Sequence, residues 1–342
     1  MNIRLPAEWE QQSGIMLTWP HENTDWQSNL VEVEAVYLDL TEKICRFEPV
    51  LIVCNDDVHQ SRIANLLADA NIPADAFQLV NAPSNDSWAR DHGPVTVLVN
   101  GQPEILDFTF NGWGNKFASD KDNNITTRLR EAGVLGEIPC KKIDFVLEGG
   151  SIESDGNGTL LTTTSCLLSD QRNPGLDKKQ IESKLKEYLG ATRILWLEHG
   201  HLLGDDTDGH IDTLARFINE NTIMYVTTDN KTNPNYASLK SMQDEILQLK
   251  QSSGDMYNLV PLPSPVICNE NGLHLPASYA NFLIINRAVL VPVYDVEPDN
   301  NVLDIFADCF VDRKIIPVNC RPLINQFGSL HCITMHFPEG VI

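Results

Sequence analysis

The stretch Leu30-Val31-Glu32-Val33-Glu34-Ala35-Val36-Tyr37-Leu38-Asp39-Leu40-Thr41-Glu42-Lys43-Ile44-Cys45-Arg46-Phe47-Glu48-Pro49-Val50-Leu51-Ile52-Val53-Cys54 contains two different hydrophobic rhythms. Leu30, Val33, Val36, Tyr37, Leu40 and Ile44 recur at helical spacing, which predicts an amphipathic helix over Leu30 to Phe47. Glu48-Pro49 ends it, because the residue before a proline is pushed out of the helical region. The unbroken apolar run Val50 to Cys54 then predicts a short buried strand. A helix leading into a buried strand is the repeating step of α/β and α+β proteins.

The step recurs along the chain after this stretch. His59 to Ala70 predicts a second helix, closed by Asn71-Ile72-Pro73. Pro94 to Val99 and Glu104 to Phe108 flank Asn100-Gly101, a hairpin turn whose two central residues both need positive φ. Ser151-Ile152-Glu153, Asp155-Gly156-Asn157-Gly158 and Thr159 to Thr162 predict a second hairpin. Gln180 to Leu189 predicts a helix ended by Gly190, followed by a strand at Arg193 to Leu197. Met224 to Val226, Ala280 to Ile285 and Ala288 to Val293 add strands, and Val302 to Phe310 a helix. No sequence repeat is visible, yet hairpins and helices return in a rhythm that suggests repeated supersecondary units.

A chain of 342 residues is long enough for two domains, but no Gly/Ser, Pro-rich or single-charge tract marks a boundary. Residues 1–342 therefore read as one continuous domain. The net charge of -22, from 25 basic and 47 acidic residues, disfavours nucleic acid and anionic membrane as partners and attracts small cations. The N-terminal Met1-Asn2-Ile3-Arg4-Leu5-Pro6 carries no apolar leader, and no run approaches the length of a membrane span, so a soluble cytoplasmic protein is expected. Eight cysteines stand at 45, 54, 140, 166, 268, 309, 320 and 332 with no close pair, which argues against a disulfide framework.

Gly204-Asp205-Asp206-Thr207-Asp208-Gly209-His210-Ile211-Asp212 places one histidine among four carboxylates. A strand after Gly209 would put His210 and Asp212 on the same face. The carboxylates would raise the imidazole pKa and grip a cationic substrate. A solvated acidic loop would carry the same residues. Asn85-Asp86-Ser87-Trp88-Ala89-Arg90-Asp91-His92-Gly93-Pro94 gathers Trp, Arg, His and two acids before a hairpin, where sites tend to lie. Phe110-Asn111-Gly112-Trp113-Gly114-Asn115-Lys116 flanks a tryptophan with glycines, which suits a mobile aromatic lid or packing under a loop. Leu147-Glu148-Gly149-Gly150 sets a carboxylate at a strand end with no neighbouring side chains to crowd it, and His331-Cys332-Ile333-Thr334 offers a thiol beside an imidazole.

Metal and nucleotide readings fail on spacing. Glu153 to Gly158 imitates the start of an EF-hand loop, but its twelfth position falls on Thr164 in place of a bidentate glutamate. Cys320, His331, Cys332 and His336 match neither paired CxxC knuckles nor a HExxH helix. No glycine-rich phosphate loop occurs. Neither a metal nor an organic cofactor is expected.

Together with Leu5 to Glu10, Thr18 to His21, Gly158 to Thr163, Asn173-Pro174 and Pro276 to Phe282, these segments resemble the agmatine deiminase and bacterial-type peptidylarginine deiminase family nearly end to end. The resemblance implies the guanidine-modifying pentein fold, an α/β propeller of five pseudo-symmetric ββαβ-like units around a central channel. It implies Cys332 as nucleophile, His210 as general acid and base, and Asp91 and Asp212 as the carboxylates that grip a guanidinium. Glu148 would orient and charge His210, and Trp88 and Trp113 would wall the channel.

Two carboxylates suit a guanidinium because they fix its nitrogens and localise its charge while a thiolate adds to its carbon. The substrate implied is a small cationic guanidine, agmatine first, with peptidylarginine or another small guanidine as the alternative. A homo-oligomer is compatible with the family. One departure stands out: relatives carry a glycine-rich run before the nucleophile, whereas this chain has Gln326-Phe327-Gly328-Ser329-Leu330-His331. A catalytically silent binding module would be expected to lose the nucleophile or an acid, and a cysteine protease would have no use for two further acids.

Overall fold

A computed structural model describes residues 2–342. The helix predicted at Leu30 spans Leu30–Ile44 and buries Val33, Val36, Tyr37, Leu40 and Ile44. The apolar run after it is the strand Val50–Cys54, buried at all five positions. This strand pairs in parallel with Gln12–Thr18 on one side and Phe77–Asn81 on the other. Its two faces belong to two cores. Val50, Ile52 and Cys54 pack with Ile15 and Leu17 into one cluster, while Leu51 and Val53 pack with Met16 and Val80 into the other. A strand covered on both faces has no position for a polar residue, which is why the run is continuous and not alternating.

The other boundaries follow local chemistry. The second helix spans Asp57–Asp69, two residues earlier than predicted, because Asp56 caps it by accepting from the His59 N–H. Lys178–Leu189 likewise begins before Gln180, which serves as the reciprocal partner of Asp177 in a capping box. Asn100 and Gly101 both adopt positive φ between the strands Val95–Val99 and Gln102–Thr109, as the turn type requires. The strand expected over Ala280 to Ile285 is shorter, Leu283–Ile285, and the last helix begins earlier than predicted, at Pro298–Cys309.

Apart from a two-stranded ladder at Ile267–Cys268 and His274–Leu275, the strands form five sheets of three or four strands. Four of them share one connectivity: an antiparallel pair, a helix, then a strand parallel to the second member. They are Val95–Val99, Gln102–Thr109 and Cys140–Val146; Glu153–Ser154, Thr159–Thr163 and Arg193–Leu197; Ala215–Asn219, Thr222–Thr227 and Asn258–Pro263; and Leu283–Ile285, Ala288–Val293 and Lys314–Asn319. The parallel step needs a long crossover, and the helices provide it. The fifth sheet completes the pattern across the two chain ends, since Thr334–Pro338 lies antiparallel to Gln12–Thr18 with Thr334 opposite Leu17. No helix among the described residues is long and apolar enough to cross a membrane.

Candidate active site

The segment just before the first strand of each sheet delivers a polar group to one place. Asp91 lies on the one-turn helix Ala89–His92 ahead of Val95–Val99, and Glu148 with Gly150 lies ahead of Glu153–Ser154. Asp212 precedes Ala215–Asn219, Asn281 precedes Leu283–Ile285, and Cys332 precedes Thr334–Pro338.

Gly150 is the hole around which they meet. A Cβ there would stand 2.7 Å from His210 Nδ1, 2.8 Å from Asp91 Oδ1 and 3.0 Å from Asp212 Oδ2. Only a glycine lets an imidazole and two carboxylates close over one backbone position. Its own N–H donates to Asp91 Oδ1 at 3.1 Å, and Trp113 Nε1 donates to Asp91 Oδ2 at 2.9 Å. The His210 ring approaches the same carboxylate, with Nδ1 3.5 Å from Oδ1, while its Nε2 is buried without a partner. Asp212 Oδ1 is likewise buried without a partner. Cys332 is seated by Asn281, whose Oδ1 lies 3.4 Å from both the Cys332 N–H and Sγ and accepts from the His331 N–H at 2.9 Å.

The backbone around His210 departs from the expected strand. His210 is the residue before the short 3-10 turn Ile211–Thr213, and the strand begins only at Ala215. Strand alternation therefore does not bring His210 and Asp212 together. The tight turn does, with the Thr213 hydroxyl donating to the His210 carbonyl at 2.9 Å.

The imidazole pKa also moves opposite to the sequence expectation. Burial, then Arg172 and Lys116, hold His210 well below its ordinary value, so it is neutral. The acids move the other way: burial lifts Asp91 to about 7 and Asp212 well above the carboxylate range, with Asp91 adding to the latter. Burial, then Asp212 and Asp91, push the Cys332 thiol well up. The acids and the thiol shift as burial beside other carboxylates requires, and the imidazole as burial near Arg172 and Lys116 requires.

Glu148 is fully buried, and its direct partner is Arg172, whose Nε donates to both carboxylate oxygens at 2.9 and 3.0 Å. Arg172 continues to Asp208 Oδ2 at 2.7 Å and the Thr207 carbonyl at 2.8 Å, so it fastens the acidic loop to the Glu148 strand end. Glu148, Cys166 and His210 bring donor atoms within 4.8 Å of one another, but the Arg172 cation already occupies the carboxylate. Neither Arg172 nor Asn281 was assigned a role from sequence. Arg172 has no motif around it beyond Asn173-Pro174, whereas Asn281 lies inside a recognised segment and its amide was the available clue.

The acids of the Gly204 loop divide by role. Asp205 accepts from Thr207 and from the Gly209 N–H, and Asp208 binds Arg172 and Lys116, so both hold the turn. Asp206 instead lines the pocket. The remaining lining includes Asp25, Asp86, Trp88, Asp91, Trp113, Phe117, Gln326, Phe327 and Cys332, and among the described residues no Lys or Arg lines it. Trp113 is held edge-on against Phe110 and Phe117, at 5.0 and 5.6 Å. Trp88 packs on Trp26 at 5.4 Å and over Gly328, where a Cβ would stand 2.1 Å from its ring. The departure before Cys332 has a definite form: Phe327 adopts the left-handed conformation at φ 65, and Gln326 Nε2 donates to the Asp25 carbonyl at 2.9 Å.

The sequence profile described as Porphyromonas-type peptidyl-arginine deiminase matches residues 4–338. An agmatine deiminase of Stutzerimonas stutzeri (strain A1501) is 31% identical over 362 residues, which cover 99% of this chain and 96% of the relative. A crystal structure described as "Putative Arginine Deiminase from Porphyromonas gingivalis" is 46% identical, with a TM-score of 0.93 and 99% of both chains covered. A cysteine-to-serine variant of the C. jejuni agmatine deiminase with substrate bound is 36% identical, with a TM-score of 0.91 and 99% and 97% of the two chains covered. At 13% identity and a TM-score of 0.50, DDAH from Pseudomonas aeruginosa shares the α/β fold alone, over 96% of this chain and 100% of its own.

Proposed function

The chain belongs to the Porphyromonas-type peptidyl-arginine deiminase family, and from that premise we propose that it hydrolyses agmatine to N-carbamoylputrescine and ammonia. The observation that carries this reading is a cation-free acidic pocket in which Cys332 shares the lining with Asp91, and Asp91, Asp212 and His210 close over Gly150. A guanidinium between the two acids supplies the missing positive charge, which favours both carboxylates and the Cys332 thiolate together. Neutral His210 takes the thiol proton, and Cys332 Sγ adds to the guanidinium carbon. His210 returns that proton to the departing nitrogen, ammonia leaves, and a thiouronium remains on Cys332. Neutral His210 then takes a proton from water, and the hydroxide adds to the same carbon. The C–S bond breaks as the hydroxyl proton passes to sulfur, releasing the ureido product and restoring the Cys332 thiol. His210 gives up its extra proton to solvent, where the released ammonia takes it up as ammonium.

The substrate choice rests on the rest of the lining. Asp25, Asp86 and Asp206 suit a second cation. Although Lys116 reaches the Asp206 carbonyl from outside, among the described residues no Lys or Arg lines the pocket to hold the α-carboxylate of free arginine. The side-by-side test is ammonia release from agmatine, free arginine and arginyl peptides. Agmatine is expected to turn over fastest, and Cys332→Ala to lose several orders of magnitude while keeping the thermal midpoint. Inert agmatine beside a reactive arginyl peptide would replace the substrate assignment.

We read residues 1–342 as a single domain whose five sheets are pseudo-symmetric units around a central channel. The recurrent connectivity and the delivery of one polar group ahead of each sheet support that reading. The product would serve polyamine formation. Eight cysteines, all free, fit the reducing cytoplasm.

A further inference from the structure

Behind the pocket lies a second cavity, and adjacent residues of the chain line the two sides of the wall between them. Asp91 and Cys332 line the front, whereas their chain neighbours Arg90 and His331 line the rear together with Glu8, Glu153 and His336. His331 is buried and spans the wall: Nδ1 lies 2.8 Å from Asp212 Oδ2, and Nε2 lies 2.7 Å from Glu8 Oε2. Both ring nitrogens thus face a carboxylate oxygen at hydrogen-bond distance. Each contact must hold a proton, so the triad Asp212, His331 and Glu8 carries at least two.

The geometry points to His331 as a positioning residue that accepts the Asp212 proton when a guanidinium enters, so that Asp212 ionises without releasing a proton to solvent. The inference rests on the guanidine reading of the front pocket. Its basis is the placement of charges on the two sides. Glu8 is bound by Arg90 Nη2 at 3.3 Å and Arg216 Nη2 at 3.0 Å, so it is the fixed anion of the triad, and His331 Nε2 carries a proton toward it. Asp212 has no cation in contact and faces Asp91 across Gly150. The directions of titration agree: Glu8 is held well below its usual range despite burial, by Arg216, His331 and Arg90, while burial and Asp91 hold Asp212 well above it. Burial, then Arg216 and Arg90, keep the His331 ring neutral in the empty pocket.

The resting arrangement is therefore Asp212 Oδ2–H donating to Nδ1, and Nε2–H donating to Glu8. An arriving guanidinium reverses the first bond. The Asp212 oxygen keeps the electron pair, the proton crosses to Nδ1, and an imidazolium stands between two carboxylates. The other charged and titratable groups around the triad are Glu153 on Arg216, His336 beside Glu8 and Arg90, Cys332 and His210. Arg216 and Arg90 oppose the imidazolium, and Glu8, within the triad, offsets them. The step is local because it moves one proton across one existing hydrogen bond.

The test counts protons. Cys332→Ala protein is titrated calorimetrically with agmatine at pH 8 in two buffers of different ionisation enthalpy, with His331 intact and with His331→Asn. The double variant is expected to release about one proton more per agmatine bound, because an amide cannot accept it. In the otherwise unaltered enzyme, His331→Asn should make 1/KM rise more steeply with pH than it does with His331 in place, with kcat much less affected. A merely structural role would lower activity equally at every pH. Glu8→Gln keeps the ring and removes its anion, so it should also release the proton, which provides a second variant should His331→Asn fail to fold. Equal proton counts with agmatine bound overturn the relay alone. Failure of the Cys332→Ala protein to bind agmatine overturns the substrate reading first, and the relay with it.

Discussion

A methyl group on residue 150 would enter the space where His210 Nδ1, Asp91 Oδ1 and Asp212 Oδ2 close together, all within 3.0 Å of its position. The residue has an ordinary backbone φ, so Gly150→Ala acts by displacement and not by backbone strain. We expect kcat/KM to fall by roughly 10²-fold or more, as misplacing reacting groups by about an ångström does, with a smaller change in thermal midpoint. Asp212→Asn separates binding from stability. The resting Asp212 is a neutral acid, which an amide imitates, but the amide cannot become the carboxylate that a cation needs. Agmatine affinity should fall by roughly 2–5 kcal/mol, about 30-fold or more in Kd, while unfolding in urea is nearly unchanged. Calorimetry on the Cys332→Ala background reads the first and denaturant titration the second. Residue types made part of this visible in the sequence: an imidazole among carboxylates and a thiol after a histidine are unusual compositions. The partners of His331 were not visible, because Glu8 stands 323 residues away and only the pairing of the chain ends brings it near.

Elements were legible where local rules decide them. The Asn100-Gly101 hairpin and the amphipathic helix Leu30–Ile44 depend on turn chemistry and on one apolar stripe. The turn Ile211–Thr213 was not legible, because its shape is imposed by the loop before it and by the Arg172 bridge between Glu148 and Asp208. That bridge makes an element-scale prediction. Arg172→Gln leaves Glu148 fully buried with no cation, which should cost about 3–5 kcal/mol in urea unfolding and loosen the acidic loop. The segment before Cys332 behaves differently. At Phe327, glycine relieves a left-handed backbone held by a bulky side chain, worth about 1–3 kcal/mol. It also adds unfolded-state entropy of roughly 0.5–1 kcal/mol against the fold. The ring also packs against the core, a loss of about 1–2 kcal/mol. Phe327→Gly should therefore be close to neutral or mildly destabilising, and by removing a wall of the pocket it should narrow the preference for agmatine over arginyl peptides. Paired KM measurements on the two substrates check it.

The whole molecule stores the tension of its site in its response to pH. Burial lifts Glu48, Asp86, Asp91, Asp122 and Glu153 each to about 7, from ordinary values of 3.8 to 4.5. Such groups bind more protons folded than unfolded between those limits, so the stability they contribute falls as pH rises toward 7. Buried histidines act in the opposite sense. His59 and His336 are lowered to about 4 and His92 to about 3, so the unfolded chain binds more protons below 6.5 and their contribution rises with pH up to that point. Below pH 6.5 the two sets oppose each other. Between 6.5 and 7.5 the acids near 7 titrate most steeply while the opposing histidine contribution levels off, and the net charge of -22 adds self-repulsion. The empty protein should accordingly lose thermal midpoint from pH 6.5 to 7.5, on the order of 5 °C, with added salt recovering part of the loss. Saturating agmatine on the Cys332→Ala protein should flatten that slope, because the bound cation makes ionised Asp91 and Asp212 the favoured forms. Thermal scans at matched ionic strength, with and without agmatine, measure both slopes. A midpoint that rises through this interval, or a slope that agmatine leaves unchanged, would mean that the acids around Gly150 are already balanced in the empty protein.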